Sequence, residues 1–361
     1  MALSPDQRII SADDHMDLHV LPPEVFQGRL PRGLRGRGPK VVDTDDGPFW
    51  EVEGRLLSPS GRKGKGLLHG QQHGFRPGQS DSRLEDMDRD GVYAHVIYSP
   101  MTTQLRLQDP VLRAACMVAY NDWVAEFCRA NPDRLVPLAS VPASNPQEAR
   151  DELLRVAKLG LRGAIVSQFE GSEPLFEDAW HPFWDAAEEV GLPVNVHLDS
   201  GTHSLKPQLG TWRFPALVAV IPMQLDEILA GMIFSGILER RPRVRFVMGE
   251  AGLGWIPYVI ERLEHELDNY ADAIGDHKLA MRPTEVFKRQ VFVTYEDEKL
   301  GVEMIPRIGV GNVMWASDYP HGDSTWPHSR KALAESDLAK HGEEVLRRVA
   351  CENCAELYGI E

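Results

Sequence analysis

Acids and imidazoles of the kinds that hold divalent metal ions recur along this 361-residue sequence, each directly after a short apolar run. They are Asp13-Asp14-His15, then His197 with Asp199 behind it, then Glu250, and finally Asp318 with His321 close by. Two carboxylates and two imidazoles, Asp13, His15, His197 and Asp318, suit one borderline divalent cation and leave positions open for a reactant. Zn2+ is the first expectation for that set and Mn2+ the second. Asp13 and His15 are alternate residues, so on an extended chain both reach the same side while Asp14 faces away. Taken alone, His197 in Pro-Val-Asn-Val-His reads as a core histidine; what singles it out is that acids or imidazoles end four strands in turn.

An ion so held lowers the pKa of a bound water and polarises a carbonyl, which makes hydrolysis of a C–N, C–O or activated C–C bond the leading expectation. Asp318 is then the candidate general base, Glu250 a further ligand or second proton carrier, and His321 a group that orients or stabilises an oxyanion. The alternative is non-oxidative decarboxylation of an aromatic or enol acid, with Asp318 protonating the carbon that loses carbon dioxide. Trp315, Tyr319, Trp326 and Tyr295 are the aromatics that would line a pocket for such a substrate. A third reading is a metal-binding barrel without catalysis. The intact ligand set speaks against it, because buried unpaired carboxylates are costly to keep without an ion.

The elements that must position these groups follow from periodicity. Apolar or β-branched runs at 8–12, 93–99, 135–141, 163–166, 193–198, 244–248, 291–295 and 313–317 predict eight strands. Helical periodicity lies between them at 111–130, 147–159, 183–190, 225–240, 255–270, 298–307 and 342–358. Strand and helix in alternation imply parallel pairing by right-handed crossovers, and eight units imply an α/β fold of the (β/α)8 TIM-barrel type. A doubly wound sheet would offer a phosphate-binding glycine turn after the first strand, and none follows Ile10. Barrel active sites form at the C-terminal ends of the strands, where the candidate ligands fall.

One segment breaks the rhythm. Residues 27–82 read as an insertion into a single domain spanning 1–361, with a hairpin at 48–57 turning at Glu53-Gly54 and a basic glycine loop at 61–66. His69 and His73 fall in it and read as loop residues. Arg83 and the charges of 85–90 read as the solvated face of a helix. His95 reads as a core residue, His19 as out of the site's reach, and His203 as a substrate contact after the fifth strand.

Composition sets the partners. The chain is 42% hydrophobic with 39 Lys plus Arg against 54 Asp plus Glu, a net charge of −15 that disfavours nucleic acid and anionic membranes. A small-molecule substrate and a cytoplasmic address are expected. Four cysteines make no disulfide framework, and Cys351 and Cys354 sit at helical spacing that predicts packing rather than a metal or redox role.

The blocks SADDH at 11–15, RLEDMDRDGV at 83–92, 183–197 ending in GLPVNVH, FVMGEAGLGWIPYVIERL at 246–263 and MWASDYPHGDSTWP at 314–327 span nearly the whole chain in order. Together they resemble the amidohydrolase superfamily, in the amidohydrolase-related (amidohydrolase 2) branch that includes the aminocarboxymuconate semialdehyde decarboxylase-like enzymes. The resemblance implies that Asp13 and His15 match the acid-x-His metal motif, His197 the strand-five ligand and Asp318 the strand-eight aspartate. It also implies a homo-oligomer, expected as a dimer. The chain departs from the pattern at the end of strand six, where Glu250 stands in the region of the histidine that those decarboxylases carry.

Overall fold

The computed structural model describes the chain except residues 1–2, 5, 63–72, 102–103, 106, 172, 200–204, 206–207, 209 and 273–278. Twelve strands are present among the described residues: β1 Ile10–His15, β2 Lys40–Thr44, β3 Gly47–Val52, β4 Arg55–Pro59, β5 Ala94–Tyr98, β6 Leu135–Pro137, β7 Ala139–Val141, β8 Ala164–Val166, β9 Val194–His197, β10 Phe246–Gly249, β11 Val291–Tyr295 and β12 Val313–Trp315. The α/β alternation is as expected. One arc runs β1-β5-β6 and another β7-β8-β9-β10-β11-β12, with parallel pairing throughout. Only Leu138 separates β6 from β7, so the predicted third strand is one strand with an interruption.

The circle closes between the last strand and the first. Backbone nitrogens of Asp318 and His15 donate to the carbonyls of Asp13 and Tyr319 at 3.1 and 2.6 Å, and Ser317 N donates to Ser11 Oγ at 2.7 Å. Alternate strand residues Ile10, Ala12, Ala94, Val96, Val136, Ile165, Val247 and Met314 form one buried cluster, completed by Cys354, Tyr358 and Ile360 of the C-terminal segment. Cys354 is thus a packing residue, as its spacing implied, and all four cysteines are free thiols. The opposite strand faces join a larger cluster beneath the surrounding helices.

The expected hairpin is present and gains a strand. β3 and β4 pair antiparallel around Glu53-Gly54, both at positive φ (49° and 80°), and β2 pairs with the other edge of β3. Two left-handed residues in succession give the turn the twist that a tight hairpin needs. The strand reading at 8–12 began and ended too early: β1 continues through His15, so Asp13 and His15 lie in the strand rather than after it. An apolar helical run spans 213–234, with mean hydropathy 1.7 in its best window, and the expected helix at 225–240 covers only its second half. The run folds as helices Arg213–Val220, Ile221–Leu225 and Asp226–Phe234, and the last buries Ile228, Leu229, Met232 and Ile233. The helix expected at 225–240 breaks at Gly236, whose φ of 71° is left-handed.

The solvated face assigned to 83–90 is a correction. Helix Ser80–Asp90 buries Arg83, Asp86, Met87 and Asp90. Arg83 is fully buried; it donates to the carbonyls of His15 (2.9 Å) and Pro77 (3.3 Å) and to His95 Nδ1 (3.3 Å). Asp86 accepts from Tyr319 Oη at 2.7 Å, and Asp90 accepts from the backbone and hydroxyl of Ser329. Helical periodicity marks which residues share a face, but charges on that face look solvated until the partners that pair them are known. Replacing Arg83 with Ala leaves buried Asp14 without its facing charge, and urea unfolding is expected to show a loss of about 3–5 kcal/mol. Lys331→Ala, at a 72% exposed side chain, is the comparison and stays within about 0.5 kcal/mol.

Candidate metal centre and active site

Three of the four expected ligands gather at one point, and the fourth, Asp318, reaches them through His15. Asp13, His15 and His197 present one ligand atom each within 4.8 Å of one another, and His15, Asp318 and His321 form a second such group. His15 Nε2 lies 3.0 Å from Asp318 Oδ1 and 3.6 Å from Asp13 Oδ1; His197 Nε2 lies 3.7 Å from Asp13 Oδ1. Asp13 Oδ1, His15 Nε2 and His197 Nε2 are buried and have no aligned hydrogen-bond partner. Most buried polar atoms in proteins are paired, so three unpaired lone-pair donors gathered within 4.8 Å of one another fit a cation.

Neighbouring groups orient these donors. The other Asp13 oxygen accepts from Thr294 Oγ1 (2.8 Å) and Glu250 N (2.7 Å). His197 Nδ1 lies 3.0 Å from the Leu198 carbonyl, which accepts its proton and leaves Nε2 with a lone pair to offer. Gly249 is required here: a Cβ on it would lie 2.7 Å from the Tyr98 ring and 2.8 Å from that of His197. Glu250 and Asp318, each just past a strand, have positive φ of 49° and 62°, a conformation costing such residues about 1–3 kcal/mol and concentrated at functional sites.

Electrostatics follow from burial and crowding. Burial, then the charge of His321, lowers His15 to about 4, so its imidazole is neutral as a ligand must be. Burial and then Asp318 raise Asp13 well above the usual carboxylate range, and the same two causes push Glu250 up to about 8. Burial, Asp318, Asp323 and Glu250 push Glu296 up to about 10. A dication among these carboxylates reverses that crowding. Asp318 resists the upward pull of burial because the charge and hydrogen bonds of His321, with His15 close by, hold it low. His321 in turn resists the downward pull of burial, held high by Asp318 and Asp17.

His321 therefore stands between two carboxylates: its Nδ1 is 2.9 Å from both Asp318 oxygens and its Nε2 is 3.3 Å from Asp17 Oδ2. Its ring stacks on His15 at 4.2 Å. Asp17, paired further with Gln104 and with His19 at 3.5 Å, was not singled out in the sequence, and His19, read there as out of reach, joins this outer network. Asp14 faces away as the alternation required, accepting from Ser317 Oγ (2.6 Å) and Tyr319 N (3.0 Å). Glu250 Oε2 lies 3.2 Å from His197 Nε2. His95 is buried beneath Arg83 and Asp14, as a core residue.

A cavity of about 460 Å3 opens on Asp13, Glu250 and Asp318. Its walls come from Val218, Ile221, Pro222, Met223 and Trp255, with Glu296, Asp297 and Asp323 among the acids. Of the four aromatics expected to line it, only Tyr295 borders it. Tyr319 and Trp326 bond to Asp86 instead, with His73 packed on both rings, and Trp315 borders a different cavity. Chain position alone placed these rings near the mouth; strand alternation turns Trp315 to the helix layer. His69 and His203 lie outside the described residues.

A parallel barrel with carboxylate and imidazole donors at the C-terminal ends of its strands defines a class of metal-dependent barrel enzymes. Residues 16–360 match the family described as amidohydrolase, and the chain belongs to that family. It is 28% identical over 294 residues to a gamma-resorcylate decarboxylase of Rhizobium sp. strain MTP-10005, covering 74% of this chain and 86% of that protein. An amidohydrolase structure from Mycobacterium avium subsp. paratuberculosis K-10 superposes with a TM-score of 0.78 at 19% identity, covering 99% of both chains. A dihydroxybenzoic acid decarboxylase from Polaromonas sp. JS666, with bound manganese and the inhibitor 2-nitroresorcinol, gives 0.66 at 16% identity over 98% of this chain and 97% of that one.

Elemental analysis of the protein purified from manganese-supplemented medium is expected to find about one divalent ion per chain, and none in His197→Ala. Thr294→Val removes the hydroxyl that donates to Asp13 and accepts from Glu250 N, and chelator competition is expected to show metal held about 10–100-fold more weakly.

Proposed function

We propose that the chain is a metal-dependent non-oxidative decarboxylase of a small hydroxyaryl carboxylic acid. The observation that carries this is the orphaned donor set at the floor of a part-apolar cavity, in a family whose members similar to this chain include decarboxylases of dihydroxybenzoic acids. The hydrolytic expectation drawn from the ligands alone had no substrate evidence to choose between chemistries, and the relatives favour its alternative. Manganese in one of them favours Mn2+ over the zinc expected first.

Asp13, His15, His197 and Asp318 would hold the ion, which when bound supplies positive charge to the substrate carboxylate and adjacent hydroxyl oxygen. Asp318 would deliver a proton to the ring carbon bearing the carboxylate; the bond to that carboxylate then breaks, its electron pair stays with the ring and carbon dioxide leaves. One proton is consumed per turnover. His321, held charged between Asp318 and Asp17, is the group placed to return it to Asp318. Glu250 would stand beside His197 as a further ligand or proton carrier. Trp255 and the 218–223 wall would exclude water from the ring.

The test is turnover of 2,6-dihydroxybenzoate by manganese-loaded protein in deuterium oxide. Carbon dioxide should appear in step with resorcinol carrying one deuterium at the vacated carbon. Asp318→Asn, assayed at saturating metal, should lower kcat by about 10²–10⁴-fold. Label from heavy-oxygen water entering product without carbon dioxide release would overturn the proposal in favour of hydrolysis.

A further inference from the structure

Above its floor the active-site cavity has walls of two kinds. Val218, Ile221, Pro222, Met223 and Trp255 give it apolar surface wide enough for a ring. The remaining polar lining is mostly acidic, with Thr294 and Tyr295 as its uncharged members, and no Lys or Arg borders the cavity among the described residues. These acids are not equivalent. Glu298 is committed to the fold: its two oxygens accept from the backbone nitrogens of Leu253 and Gly254 at 2.6 and 2.7 Å, fixing the loop after β10. Glu250 stands against His197 at 3.2 Å. Glu296 and Asp323 border the same space, with no ion pair or hydrogen bond to a described side chain spending their acceptor capacity.

An ion at the floor offsets the charge of Asp13 and Asp318, the rest of the lining stays rich in carboxyl groups, and a cation set against Glu296 favours its ionised form over the neutral one that burial favours. Among the described residues, a substrate that sets one carboxylate on that ion meets mainly carboxyl groups along its other edges, with the hydroxyls of Thr294 and Tyr295 as the neutral ones. A second anionic substituent is repelled there, while a basic nitrogen finds partners in a partly desolvated site where such pairings are strong. We propose that Glu296 and Asp323 are specificity-determining residues, and that the substrate is an aromatic monocarboxylic acid carrying an amino or aminoalkyl substituent. The inference rests on the decarboxylase reading for the placement of the carboxylate, and on the cavity lining for the substituent.

The probes are 2-hydroxybenzoate, its 3-, 4- and 5-aminomethyl derivatives and the matching carboxy derivatives, offered to the manganese-loaded protein. Kd is measured by equilibrium dialysis and carbon dioxide release is measured separately. At least one aminomethyl isomer should bind about tenfold or more tightly than the parent, and its carboxy counterpart about tenfold or more weakly, as one charge-assisted hydrogen bond gained or one repulsion added implies. In Glu296→Gln with Asp323→Asn both ratios should contract to within about threefold, a change that loss of folding does not produce because the parent acid is the internal reference. Equal affinity across the series, or tighter binding of a carboxy derivative, overturns the inference even if carbon dioxide is released. Selective binding of an aminomethyl isomer without carbon dioxide release sustains it and sinks the decarboxylase reading instead.

Discussion

Three buried atoms with lone pairs, Asp13 Oδ1, His15 Nε2 and His197 Nε2, face one another with no hydrogen donor of the protein between them. Removing a carboxylate and two imidazoles from water without partners is unfavourable by several kcal/mol. A fold keeps such an arrangement only if something outside the chain completes it. Much of the surrounding structure makes sense as the means of holding these atoms apart from each other and from other donors. Thr294 and the Glu250 backbone occupy one oxygen of Asp13 so that the other stays free, and the Leu198 carbonyl occupies Nδ1 of His197 so that Nε2 does.

The seam between β1 and β12 carries the largest share of this positioning. Ligands come from both of its sides, and the backbone bonds from Asp318 to Asp13 and from His15 to Tyr319 set their spacing directly. Behind the seam, Asp14, Ser317, Arg83 and His95 form a buried polar layer that never reaches the cavity. Such a layer is expensive when half satisfied and rigid when complete, which suits it to fixing one register. The left-handed backbone at Glu250 and Asp318 is the strain that this rigidity sustains at the reacting end of the barrel.

The centre and the cavity above it have separate origins. The donors stand on strands, whereas most of the cavity wall is loop and helix: the 218–223 turn, the loop at 250–255, the residues after β11 and the turn at Asp323. Strand ends place a ligand within tenths of an ångström, and loops can change without disturbing them. The donor set can thus stay fixed while the charge of the cavity wall changes.

The sequence alone determined the parallel α/β barrel, the inserted hairpin and the convergence of Asp13, His15, His197 and Asp318, because each is written in local order. Alternation fixes which side a strand residue faces, and strand-helix repetition fixes the end of the barrel to which strand termini belong. Only the tertiary structure decided that Arg83, Asp86 and Asp90 are buried, that Asp17 and His19 stand behind His321, that Thr294 aims Asp13, and that Tyr319 and Trp326 back the site rather than line it. Each of those facts depends on a partner dozens to hundreds of residues away. A charge or an aromatic ring carries no local sign of whether such a partner exists, so its role is set only when folding brings the two together.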